Sequence, residues 1–191
     1  VVEFDPTYVS VQQGTYSFAT TSTTASITAV DQTKAAMVFY HQHISGNDKF
    51  HEGSVAGWFS ADDELSWQRD ATWGTISGHY YVFEALNSEF SVQARSFSIP
   101  VDGNSNTATI NSIAMGKTFL IASYRLAYAS ENADKRQLSV YLSAPDTITA
   151  ERNTVHSTAV TDIRVFAVTF GGDERVQRGE FAYGVVDAQK Q

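Results

Sequence analysis

One pattern constrains this chain more than any other. Val11-Gln12-Gln13-Gly14-Thr15-Tyr16-Ser17-Phe18 returns as Val92-Gln93-Ala94-Arg95-Ser96-Phe97-Ser98-Ile99 and again as Val176-Gln177-Arg178-Gly179-Glu180-Phe181-Ala182-Tyr183. In an extended strand the second, fourth, sixth and eighth positions share a face, so Tyr16, Phe97 and Phe181 lie on the same side as Phe18, Ile99 and Tyr183. That face is expected to be buried. The chain is therefore read as a tandem repeat.

Between the motifs the two halves keep step. Thr24-Ala25-Ser26-Ile27 matches Thr107-Ala108-Thr109-Ile110 at an offset of 83, and Lys34, Ser60, Ala61, Asp63 and Arg69 match Lys117, Ser143, Ala144, Asp146 and Arg152 at the same offset. The last strands align one residue further on, Val82-Phe83-Glu84-Ala85-Leu86 with Phe166-Ala167-Val168-Thr169-Phe170, which predicts a single insertion near Thr154. A unit this long exceeds the 20 to 50 residues of solenoid repeats, so each is expected to carry its own core, like beads on a string.

Turn signals every ten to fifteen residues, with no helical period, predict an all-β fold of two antiparallel six-stranded β-sandwich repeats of about 83 residues. The boundaries read as 1–10, the closing strand of a preceding repeat; 11–91 and 92–175, the two sandwiches; and 176–191, the opening strand of a following repeat. A chain starting on Val1-Val2-Glu3-Phe4 is expected to be part of something longer. Its end strands are expected to dock on a neighbouring sheet or to be exchanged with an adjacent copy.

Within the first repeat a polar loop over residues 19–24, a strand over 25–30, and a hairpin around Ala61-Asp62-Asp63-Glu64 are predicted. Ala35 to Tyr40, apolar on both faces, reads as a central strand or one at a domain contact. The predicted cores are Tyr16, Phe18, Ile27, Met37 and Phe39, and separately Phe97, Ile99, Ile110 and Leu120, with Phe97→Ala costing about 3–5 kcal/mol. Ala36, Val38 and Tyr40 point outward and call for a covering partner.

The chain has 21 acidic and 13 basic residues and a net charge of −8, against binding a phosphate backbone. It has no cysteine, which removes disulfides and thiolate metal sites. No apolar run is long enough for a membrane-spanning helix.

Candidate chemistry is sparse. His41 and His43 share a strand face near His51 and Glu52, a grouping able to hold a metal, but the counterpart Leu126-Ala127 lacks histidine, and exposed histidines are the reading adopted. Asp102-Gly103-Asn104-Ser105-Asn106 has the look of a calcium loop without its distal Glu and reads as a turn. Asp62, Asp63 and Glu64 sit together at a hairpin tip, where solvent keeps them ionised. No catalytic residues, metal or cofactor are assigned, and the chain is not expected to be an enzyme. Trp58, Trp67, Trp73, Tyr80 and Tyr81, with His79, concentrate aromatics late in the first repeat; they either fill the core in part or are candidate contacts for a protein interface or a glycan.

The Val-Gln-x-Gly opening strand, the Ala25-Ser26-Ile27-Thr28-Ala29-Val30 stretch and the closing Val2-Glu3-Phe4 resemble tandem repeats of structural proteins from tailed bacteriophages. In outline the unit is also similar to the H-type lectin domain; Trp73-Gly74-Thr75 is the fragment nearest to its sugar-contacting tryptophan, and no binding residue is carried over from it. The phage resemblance implies a capsid decoration or fibre protein on the virion surface, partnered by other virion proteins or copies of itself as a homo-oligomer, a trimer by analogy. The lectin resemblance implies instead an extracellular adhesin module binding a glycan.

Overall fold

The computed structural model describes residues 4–44, 53–70, 72–127, 138–152 and 160–177. Among the described residues twelve strands carry the fold. β1 (Val9–Phe18), β2 (Ser22–Ser26), β3 (Ala35–Ile44), β4 (Ala56–Ala61), β5 (Glu64–Gln68) and β6 (Thr75–Ala85) make the first repeat. β7 (Phe90–Ile99), β8 (Ser105–Thr109), β9 (Thr118–Ala127), β10 (Leu138–Ala144), β11 (Thr147–Arg152) and β12 (Val160–Phe170) make the second. A 3-10 turn at Met115–Lys117 precedes β9.

Each repeat folds into two three-stranded antiparallel sheets of the same order, β1-β6-β3 over β2-β5-β4 and β7-β12-β9 over β8-β11-β10. The all-β sandwich class is as predicted. The opening motif buries its even positions, with Tyr16 and Phe18 almost fully covered and Ile99 completely so. Tyr16 stacks flat on Trp67 of the facing sheet at 4.2 Å between ring centres, and Phe39 meets Trp67 edge-on. In the second repeat Ile110, Leu142, Ile148, Val165 and Ala167 form the interior, with Phe97 and Leu120 packed partly buried against them. Because Phe97 is only half-covered, its truncation should cost less than the full burial assumed from the sequence.

The repeated hydrogen bonds explain the motif residue by residue. The Gln12 amide accepts from Thr28 N–H at 2.7 Å and donates to the Thr28 carbonyl at 2.9 Å. Gln93 makes the same pair to Asn111, at 2.7 and 3.0 Å. This glutamine thus acts as a missing strand neighbour for the segment after β2 or β8. Gln12→Ala should lower stability by about 1 kcal/mol, read as a small loss in melting temperature. An unchanged melt would show that water replaces the clamp. Gly14 is opposite Tyr80, whose ring fills the space a Cβ would need. Arg95 at the equivalent position faces the smaller Val165.

Three expectations about individual strands need correction. The second strand starts at Ser22, inside the stretch read as loop, because its threonines pair along β5. β3 is an edge strand, β6 being central, and it is the domain contact that buries both faces of its start. The last strands are offset by 85: Val11 pairs with Phe83 and Val92 with Val168, while Ala35 pairs with Glu84 and Thr118 with Thr169. The two extra residues fall between Arg152 and Val160, where Thr154 itself lies outside the described residues.

The repeats are not independent beads. The cluster containing Tyr16, Met37 and Trp67 runs on without a break into Phe90, Val92, Phe166 and Val168 of the second repeat. Strands β3 and β4, along one side of the first sandwich, lie on the outer face of the β7-β12-β9 sheet. The second interior stays distinct, so what joins the repeats is a third apolar layer.

The chain enters that arrangement by a bond that recurs. Val92 N–H donates to the Thr33 carbonyl, and Val176 N–H to that of Gly116, 83 residues after Thr33. The third motif therefore begins as the second does. Of the end strands, residues 1–3 and 178–191 lie outside the described residues. Phe4 stacks on Phe83 with 5.8 Å between ring centres.

Candidate interaction surface

The outer face of the β7-β12-β9 sheet is built in rows, because residues paired across an antiparallel sheet share a face. Its rows are Val92–Val168–Phe119, Ala94–Phe166–Ile121 and Ser96–Arg164–Ser123. The first repeat packs over Val92, Val168 and Phe166, which are buried, while Ala94 and Ser96 at the β7 end of their rows stay exposed. Phe59 meets Phe166 edge-on at 5.6 Å, and Trp58 receives the Arg164 guanidinium over its ring at 4.6 Å. The Ser123 hydroxyl accepts from Gly57 N–H at 3.1 Å, while the Ser54 hydroxyl donates to the Tyr124 carbonyl at 2.9 Å. Gly57 has no room for a side chain, since a Cβ would come within 2.7 Å of both Met37 Cε and Phe39 Cε1. A cavity of about 490 Å³ remains along this seam, lined by residues including Phe39, His41, Val55, Tyr124 and Phe166.

The same face of the first repeat has the rows Val11–Phe83–Ala36, Gln13–Tyr81–Val38 and Thr15–His79–Tyr40. Here Val11, Val38 and Tyr40 are 48, 44 and 56 % exposed. Tyr40 and His79 stack on one another at 5.2 Å. Ala36 is covered, as expected of an outward residue needing a partner, whereas Val38 and Tyr40 remain open.

The aromatic candidates separate into different environments. Trp67 and Tyr80 belong to the core, with the Trp67 indole N–H and the Tyr16 hydroxyl finding no hydrogen-bond partner among the described residues. Burial without a partner raises the pKa of Tyr16 well above its ordinary value. Trp58 lies in the seam between repeats, Tyr81 on the outer face of the first, and Trp73 projects from the β5–β6 loop, 63 % exposed. They do not form one site.

His41 and His43 share the inner face of β3, but each ring is engaged with a backbone carbonyl. His41 Nε2 meets Gly53 O at 2.6 Å and His43 Nε2 meets Trp73 O at 2.9 Å. No three metal-binding side chains gather among the described residues, and His51 and Glu52 lie outside them. Burial holds the His41 pKa below its ordinary 6.5, with the neighbouring His43 adding to the effect. A depressed histidine pKa means that the unfolded chain takes the proton first, so the contribution to stability is present above pH 6.5 and is lost on acidification. Between pH 7 and 5.5 the melting temperature should fall more for the parent than for His41→Gln. Equal slopes would remove His41 as the cause.

The acidic hairpin tip and the calcium-like loop have structural tasks. The Asp62 carboxylate accepts from Gln32 Nε2 at 2.8 Å and Glu64 from the Ser60 hydroxyl at 2.6 Å, while the Asp62 and Asp63 carbonyls hold Val30 and Ile27 N–H. The loop of Asp102 and Gly103 wraps a cation the chain supplies itself. Buried Arg152 donates to the Gly103 carbonyl at 2.7 Å, that of Pro100 at 3.0 Å and the Thr161 hydroxyl at 3.2 Å. Arg69 does the same in the first repeat, donating to the carbonyls of Thr20, Trp73 and Gly74 at 2.9, 2.9 and 2.7 Å. Spacing revealed this arginine pair; its equivalent partners Thr20 and Gly103 lie at the same offset of 83 but differ in type, so no motif marks them.

In comparisons with known proteins, no family model, no curated protein and no solved structure matches the chain.

Proposed function

We propose that this chain is a non-enzymatic structural module of a tailed-phage virion, a decoration or fibre component acting through its surfaces. The observation that carries the reading is the way one sandwich seats on the sheet of the next through apolar rows and a shared backbone bond, an architecture suited to building outward on a particle. The sequence resemblance to tandem phage repeats supports it. Antibody raised against the purified chain should label intact tailed particles in lysates of the source culture. Particles free of label would overturn the assignment.

A carbohydrate-binding adhesin is the second reading, favoured by the exposed indole of Trp73, since a solvent-facing aromatic ring stacks on the apolar face of a sugar. On that reading a glycan array gives discrete hits that Trp73→Ala removes, with melting unchanged. An empty array excludes it for the sugars displayed.

A further inference from the structure

We propose that the seam between the repeats holds a binding site for a single oxyanion, built on Arg164 of β12 with the Ser96 hydroxyl of β7 beside it. A cavity of about 110 Å³ opens there, lined by residues including Gln32, Trp58, Ser96 and Arg164. That is roughly the space of three or four water molecules, enough for one small anionic group. Among the described residues no Asp or Glu lines it.

What singles out Arg164 is that its guanidinium has no acceptor. Arg69 and Arg152 donate to loop carbonyls, Arg95 to the carbonyls of Thr109 and Ala94, and Arg125 to the Asp162 carboxylate. Arg164 lies 4.6 Å over the Trp58 ring and donates to nothing among the described residues, and its Nε is buried without a partner. A planar cation with its donors unmade is the group that takes an oxyanion in a fork. Asp162, two residues along the same strand face, is already shared between Ser98 at 2.6 Å and Arg125 at 2.6 Å. Two guanidiniums thus face one carboxylate, and the spot stays positive on a chain whose net charge is −8. Burial holds the Arg164 pKa below its ordinary value; Asp162 works against that shift and Arg125 with it. A bound anion would supply the missing counter-charge.

Ser96 is the cross-strand partner of Arg164, so the two side chains stand next to one another on the outer face. Ser96 is exposed, and its hydroxyl is bonded to no described residue. On the other side of Arg164, Ser123 is taken up by Gly57. An oxyanion in the cavity therefore meets the guanidinium and one hydroxyl, with the Trp58 ring as an apolar wall. The site needs both repeats, since β4 brings the wall while β7 and β12 bring the donors. Neither the virion nor the glycan reading bears on it, so particle labelling and anion binding can fail independently.

The test titrates the full chain with inorganic phosphate at constant ionic strength, followed by the NMR signals of the Arg164 Nε–H and the Ser96 amide. Both should shift and saturate, with a Kd of roughly millimolar size for one charged group and one hydroxyl. Arg164→Gln, read at the Ser96 amide, should weaken binding by on the order of 10-fold or more. Ser96→Glu places a carboxylate opposite the guanidinium. That variant should lose phosphate binding while melting at or above the parent temperature, so the loss cannot come from unfolding. Glycerol phosphate, run alongside, separates two sources of the same chemistry: tighter binding than phosphate assigns the site to a group carried on a larger molecule, and equal or weaker binding assigns it to the free ion. Shifts that never saturate with either probe, or a phosphate affinity unchanged in either variant, would overturn the proposal and leave Arg164 as a staple on Trp58 alone.

Discussion

Replacing Arg69 with methionine should lower the melting temperature by on the order of 10 °C, the largest effect expected from any single substitution outside the apolar core. The side chain is fully buried, and its guanidinium reaches three backbone carbonyls from two separate loops while lying 5.3 Å over the Phe18 ring. Methionine restores much of the volume but leaves those carbonyls facing a thioether. The Trp73 carbonyl keeps its contact with His43, so at about 1–3 kcal/mol for each of the other two part-buried carbonyls left without a partner the loss reaches roughly 2–5 kcal/mol. Arg69→Lys should recover little, since a single ammonium cannot span positions set by a planar fork. Calorimetry decides: a loss under about 2 °C for methionine would mean the loops close without the cation.

Phe166→Ala should cost about 3–5 kcal/mol and, more tellingly, should separate one melting transition into two. Phe166 projects from the outer face of β12 against Phe59, at the centre of the layer that joins the repeats. Its removal leaves both interiors intact and opens the seam between them. A double-mutant cycle with Phe59→Ala measures the contact directly, because two rings packed edge-on should show a coupling energy well above zero. A single transition with additive losses would show that the repeats are coupled elsewhere, through the β6–β7 connection.

How much of this was legible in the sequence depends on where alternation survives. β1 alternates, so Tyr16 and Phe18 could be placed on the inner face from period two alone. β12 does not: Val165, Phe166, Ala167 and Val168 are all buried, two by their own sandwich and two by the neighbouring repeat. With both faces apolar, a one-residue slip leaves no mark in the sequence, and the offset of the last strand is read as 84 where the ladder makes it 85. The same double burial left Ala35 to Tyr40 open between a central strand and one at a domain contact, because an apolar pattern on both faces cannot tell an edge strand from a central one. The seam was hidden because its partners, Trp58 with Arg164 and Gly57 with Ser123, lie more than sixty residues apart and follow no shared motif.

The contact between Ser123 and Gly57 has a further consequence for how the protein behaves at high concentration. An edge strand with vacant amides and carbonyls can recruit a strand from another molecule, and repeated recruitment is the route to fibrous aggregates. At Gly57 that route is blocked by one hydroxyl, which accepts from the amide and lies 3.4 Å from the carbonyl on the same residue. A serine side chain cannot itself be extended as a β-ladder. The docked repeat thus terminates hydrogen-bonded sheet growth along β4, and chains can crowd together side by side without their sheets merging there.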